Sequence, residues 1–152
     1  MTLKLSSASF GKNESIPAQY TCDGANLSPA FNWSGAPANT KGFLLVCLDP
    51  DAPSGTFHHW AAYNIPAECQ GLESGIARQD PRLQQAVNDF GERGYSGPCP
   101  PKGKPHHYHF RLSALRTEAL PVPKSATCAQ VIKAAQQFAL ESAESVGLYA
   151  RQ

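Results

Sequence analysis

The stretch HHYHFRLSAL, residues 106–115, reads as a β-strand because its two faces differ in chemistry. Successive side chains on a strand point to opposite sides. His106, Tyr108, Phe110, Leu112 and Ala114 therefore share one face, and His107, His109, Arg111 and Ser113 share the other. The first face is apolar except at its entrance. His106 is predicted to point inward at the edge of a core, while His107 and His109 look toward water. The histidine triplet thus divides into one candidate site residue and two surface residues.

Upstream, GFLLVCLDP (42–50) is an apolar run of strand length, predicted to be buried on both faces. FHHWAAYNI (57–65) is aromatic-rich and of similar length, a second strand beside it. Between them DPDAPSG can only turn, because Asp-Pro, Ala-Pro and Ser-Gly all resist regular structure. Thirteen prolines and twelve glycines cut the chain into short segments, which favours strands and loops. One helix is predicted over about 128–145. Thr127 and Gln130 have capping-box spacing, and Val131, Ala135, Phe138 and Ala139 form an apolar stripe at helical period. Gly147 ends that pattern and a short strand over 148–150 follows. DPRLQQAVNDFG (80–91) is expected to hold a further helical turn.

A chain of 152 residues is about one domain long, and one domain over 1–152 is expected. A formal net charge of +1 gives no electrostatic basis for nucleic-acid or polybasic membrane binding. No window is long and apolar enough for a transmembrane segment. MTLKLSSASFGKNES lacks a signal-peptide core, so a cytoplasmic location is expected. The five cysteines (22, 47, 69, 99, 128) are odd in number and include no C-x-x-C. Cys47 reads as a small core hydrophobe. Cys22 and Cys99 lie in Gly/Pro loops where they could meet, but thiols are the expectation in a reducing compartment.

Candidate chemistry gathers at three places. Asp49 and Asp51 flank a proline at the end of a central strand, either as caps of a turn or as partners that orient a histidine. In GYSGPCPPKGKP (94–105), glycines allow close approach of backbone to a ligand, and prolines stiffen the loop. His107 and His109 share a strand face and could chelate zinc, but a third ligand would have to come from His58 or a carboxylate elsewhere. A hydrolase would need an activated nucleophile. G-x-S-x-G is absent, and Cys99 near His106 is the only imitation of a cysteine–histidine pair.

Taken in order, DPDAP, HHW, NDFG, GYSGPCPPKG and HHYHFRLSAL resemble the phosphatidylethanolamine-binding protein family, and within it the small bacterial Raf kinase inhibitor-like branch. YTCDGANLSPAFNW (20–33) is also typical of that branch, and the resemblance runs from about residue 3 to the end. It implies a mainly β fold, an antiparallel β-sandwich with one or two peripheral helices. It further implies a pocket for a small anion such as phosphate or a phospholipid head group, formed by Asp49, Asp51, His59, Gly97, Pro98, His106 and Tyr108. A kinase or protease is implied as a protein partner. No catalytic residue, metal or cofactor is expected. The alternative is a hydrolase or metal-dependent enzyme using the same His/Asp pocket. Family members also imply a cis bond at Ala52–Pro53. Vertebrate members add a helix after the last strand, so a more open pocket is expected here. In this scheme a carboxylate beside His59 or His106 favours the imidazolium form, and amides near Gly97 meet the anion.

Overall fold

The computed structural model describes residues 2–151. Among the described residues eight strands form two antiparallel sheets: β1 (Lys4–Ser6), β2 (Phe31–Ser34), β3 (Gly42–Asp49), β4 (Phe57–Pro66), β5 (Gly71–Leu72), β6 (Gln84–Gln85), β7 (His106–Leu115) and β8 (Ala139–Tyr149). The smaller sheet has the order β1-β2-β5 and the larger β6-β4-β3-β7-β8. One helix, α1 (Cys128–Ala135), lies on the far face of the larger sheet.

β3 is central in its sheet and is covered on both faces. Phe43, Leu45 and Cys47 join a core between the sheets with Phe31 and Trp33 of β2 and Phe110 and Leu112 of β7. Leu44 and Val46 point the other way, onto Val131 and Ala135 of α1. A strand buried on both sides needs a continuous apolar run, and GFLLVCL supplies it. The predicted faces of β7 hold: Tyr108, Phe110, Leu112 and Ala114 are fully buried, and His107 is exposed.

β4 carries two irregularities. Leu48 pairs with His58 and Cys47 with Trp60, so His59 is an extra residue opposite the β3 ladder. Such a bulge reverses the inward–outward alternation beyond it. A second shift lies between Phe43 and Leu45, beside Asn64, whose φ of 55° is in the left-handed region.

Four expectations are corrected. The helix is eight residues long; the chain passes through a 3₁₀ turn, Gln136–Phe138, and continues as β8. The capping box at Thr127 and Gln130 is present, and Val131 and Ala135 are buried, but Ala139 is exposed. Helix propensity is a weak preference. In ALESAESVGLY it yields to an open β7 edge, which pairs with β8 from His106–Tyr149 through Leu115–Ala139. Gly147 permits this packing, since a Cβ there would stand 2.6 Å from Ile16 and 2.8 Å from Phe10. The segment 80–91 holds no helical turn; the Asp80 carboxylate accepts from the Arg82 amide, and Gln84–Gln85 pair with Ala62 and Tyr63. Ala52–Pro53 is trans, as are all peptide bonds among the described residues, trans being the lower-energy isomer of an X–Pro bond. Cys22 and Cys99 are joined in a disulfide, with Cα atoms 5.4 Å apart, because the loops around residues 20–26 and 95–99 pack side by side. Cys47, Cys69 and Cys128 are thiols.

Candidate functional site

The turn after β3 and the start of β7 are fastened by the two aspartates. Asp49, buried, accepts from the Asp51 amide at 2.8 Å and from His106 Nδ1–H at 2.7 Å. Asp51 accepts from the His107 amide at 2.8 Å and from its Nδ1–H at 2.7 Å. These His107 bonds hold the Asp51 carboxyl below its ordinary pKa. A carboxylate only accepts, so Nδ1 of each ring carries the proton and Nε2 is left over.

His59 arrives from the bulge in β4. Its Nδ1 lies 2.7 Å from the Ser96 carbonyl, which again can only accept, so Nδ1–H donates. Burial lowers the pKa of His59. The Ser96 and Gly97 carbonyls and the negative charges of Asp49 and Asp89 oppose that shift without reversing it. The imidazole is thus neutral near pH 7, with Nε2 as an acceptor. The expected imidazolium at this position is not what its surroundings favour.

The two rings converge on one small cavity. Tyr108 lies between them, its ring centroid 5.4 Å from that of His59 and 6.3 Å from that of His106. The cavity has a volume of about 160 Å³ and is lined by Asp49, His59, His106 and Tyr108, with Ala52, Pro53, Phe57, Phe90, Cys99, Pro100 and Pro101. It is smaller than the roughly 300–1,000 Å³ of sites for drug-sized ligands, which limits a guest to a small group. The Tyr108 hydroxyl is buried without a hydrogen-bond partner. Burial, the nearby Asp49 charge and the approach of the hydroxyl to that carboxylate, outside hydrogen-bonding geometry, raise its pKa, so it stays a donor. An orphaned donor of this kind is worth explaining by a guest that accepts from it.

Three predicted residues lie outside the lining. Asp51 faces His107 instead of the cavity. Gly97 and Pro98 stand behind the wall. The Gly97 amide donates to Asn26 Oδ1 at 2.8 Å and is therefore occupied, and the Pro98 carbonyl accepts from Cys22. A Cβ on Gly97 would fall 2.2 Å from the Tyr20 carbonyl oxygen, so this glycine is needed for the close approach of two loops. Conversely, the residues that form the rim gave little sign of it in the sequence. Phe90 is held out by Asn88, whose Oδ1 accepts from the Phe90 and Glu92 amides. Phe90 packs against Phe57 at 4.7 Å and His59 at 5.6 Å while remaining about half exposed. The NDFG stretch was the available signal.

The other histidines are engaged elsewhere. His58 bonds to Asp89, His107 to Asp51 and His109 to Glu144. Among the described residues no group of three or more His, Cys, Asp or Glu side chains is arranged to hold a metal ion. A wider groove of about 670 Å³ runs between β1, β2 and β8, but its charged residues Lys4, Lys12 and Glu144 are all exposed. No buried polar group there resembles the Tyr108 hydroxyl.

The depressed pKa of His59 has a measurable consequence. Its contribution to stability is complete above the unfolded value of 6.5 and is lost as pH falls below it, because the unfolded chain takes up a proton first. His59→Gln is expected to remove this loss. Urea denaturation at pH 7 and pH 5 should show a smaller decrease for the variant than for the parent chain; equal decreases would contradict a neutral His59.

A family model described as Phosphatidylethanolamine-binding protein matches residues 6–150. A UPF0098 protein of Aquifex aeolicus is 41% identical over 98% of this chain and 89% of its own length. UPF0098 protein PH1269 of Pyrococcus horikoshii is 43% identical over 99% of this chain and 78% of its own length. Among solved structures, Escherichia coli YbcL, described as a new member of the mammalian PEBP family, superposes with a TM-score of 0.94. It is 35% identical, with 100% of both chains covered. A phosphatidylethanolamine-binding protein homolog from Chlamydia trachomatis gives a TM-score of 0.89 at 31% identity, covering 99% of both chains.

Proposed function

Since the chain belongs to the phosphatidylethanolamine-binding protein family, we propose that it binds a small anion, phosphate or a phosphorylated head group, in the cavity between β4 and β7. We read residues 1–152 as one domain whose occupancy modulates a protein partner such as a kinase or protease. The observation that carries the reading is the meeting of two tautomer-fixed imidazoles over a buried, unpartnered tyrosine hydroxyl. Asp49 acts indirectly. Both of its oxygens already accept hydrogen bonds, so it orients His106 and the turn instead of meeting the guest.

The pH dependence follows in sign. As pH rises, a phosphomonoester passes its second ionisation near about 6 and loses the proton it can donate. Loss of that proton removes the donor facing the His59 Nε2 acceptor, so affinity falls. Calorimetric titration with phosphate and with phosphoethanolamine between about pH 5 and 8, where histidine ordinarily changes charge, should show a decrease of about tenfold or more. A flat profile would overturn the assignment.

A hydrolase in the same pocket lacks support from its nearest nucleophiles. Cys99 is in the disulfide, and the Ser96 hydroxyl donates to Glu92 while accepting from Asn88. No helix among the described residues is long and apolar enough to cross a membrane. The disulfide bears on location, since such bonds persist in oxidising compartments and are rare in the cytoplasm expected above. Acid quenching of cells, alkylation of the denatured protein and mass measurement separate the two: three modified thiols indicate the bonded form and five the reduced one.

A further inference from the structure

The polar groups of the cavity differ in what they offer a guest. Tyr108 presents a buried donor without a partner. His59 presents an acceptor, since its only ring proton is committed to the Ser96 carbonyl. The Asp49 carboxylate adds negative charge from β3. From the segment after β6, Asp89 adds a second, paired with His58. From β7, His106 faces the same space with its Nδ1–H on Asp49. Phe57 and Phe90 close the remaining sides of the His59 ring without polar groups. A fully deprotonated oxyanion in this setting would set lone pairs against the His59 lone pair.

From this arrangement we infer that the cavity selects oxyanions that carry their own proton, phosphate or a phosphomonoester as the monoanion, over isosteres that cannot donate. The guest's P–OH donates to His59 Nε2, and an unprotonated oxygen accepts from the Tyr108 hydroxyl. A phosphodiester, as in an intact phospholipid, has no such proton, and neither has sulfate near neutral pH. A site built around one hydrogen bond rejects an analogue lacking that donor, because the buried acceptor is left unpaired. The inference rests on the anion-binding reading and names which protonation state that pocket takes.

Calorimetry on the whole chain at about pH 6.5 tests it with inorganic phosphate, methyl phosphate, dimethyl phosphate and sulfate. Sulfate controls for size and dimethyl phosphate for charge. The first two are expected to bind at least about tenfold more tightly than the last two. Sulfate binding should strengthen on acidification, as His59 gains a proton and turns from acceptor to donor. In His59→Gln, whose amide can turn either edge to the guest, the preference for phosphate over sulfate should shrink toward unity. Equal affinities for phosphate and sulfate in the parent chain would overturn the selectivity while leaving an anion pocket in place. Binding of none of the four would overturn the anion reading and this inference with it.

Discussion

Asp49→Ala is expected to destabilise the fold by about 3–5 kcal/mol and to abolish phosphate binding. Asp49 is 3% exposed and holds two donors, the Asp51 amide and His106 Nδ1–H. Removing one member of a buried hydrogen-bonded pair leaves the other unsatisfied, and such losses fall in that range. The total stability of a domain is only about 5–15 kcal/mol, so the variant should be marginal. Asp49→Asn separates stability from function. Its Oδ1 can still accept, so most of the stability should return, whereas one carboxylate oxygen becomes a donor group that cannot accept from His106. Urea denaturation and phosphate titration on both variants provide the check. An alanine variant within about 1 kcal/mol of the parent and still binding phosphate would show that Asp49 does not orient the site.

The second large effect is expected at the disulfide. Cys22 and Cys99 close a loop with a sequence separation of 77 residues. On the chain-entropy account, loops of about 15 to 100 residues contribute about 3–4.7 kcal/mol, so Cys99→Ser should remove about 4 kcal/mol. For a chain of this length that corresponds to a fall in Tm of about 8–16 °C. The segment around Cys99 would remain attached by the Gly97–Asn26, Cys22–Pro98 and Tyr95–Tyr20 hydrogen bonds. Because Cys99, Pro100 and Pro101 form one wall of the cavity, phosphate affinity should fall as well. Scanning calorimetry with and without a reductant measures the first effect. An unchanged Tm on reduction would mean that the bond does not form in the native chain.

Local patterns made much of the fold legible. The alternation in HHYHFRLSAL placed Tyr108, Phe110 and Leu112 inward and His107 outward, and the structure agrees. The apolar run of GFLLVCL gave a strand covered on both sides, and Thr127 with Gln130 gave a real helix start. The failures came where a distant partner decided. ALESAES has good helix formers but a weak apolar face, and the unpaired edge of β7 offers its backbone a continuous ladder. Gln84 and Gln85 are likewise a strand only because Ala62 and Tyr63 lie beside them.

The site divides along the same line. His106 was assigned inward from strand parity alone, whereas simple parity in FHHW cannot choose between His58 and His59. The residue inserted at His59 breaks the alternation, sending His58 to Asp89 and His59 into the cavity. By itself the sequence determined the strands β3, β4 and β7, the apolar face of β7, the start of α1 and which family motifs occur, because these depend on neighbours a few residues apart. Only the tertiary structure decided the bulge, the Cys22–Cys99 bond, the occupied Gly97 amide and the proton on His59 Nδ1. Each of these depends on a group brought close by folding from elsewhere in the chain, and no local periodicity records that approach.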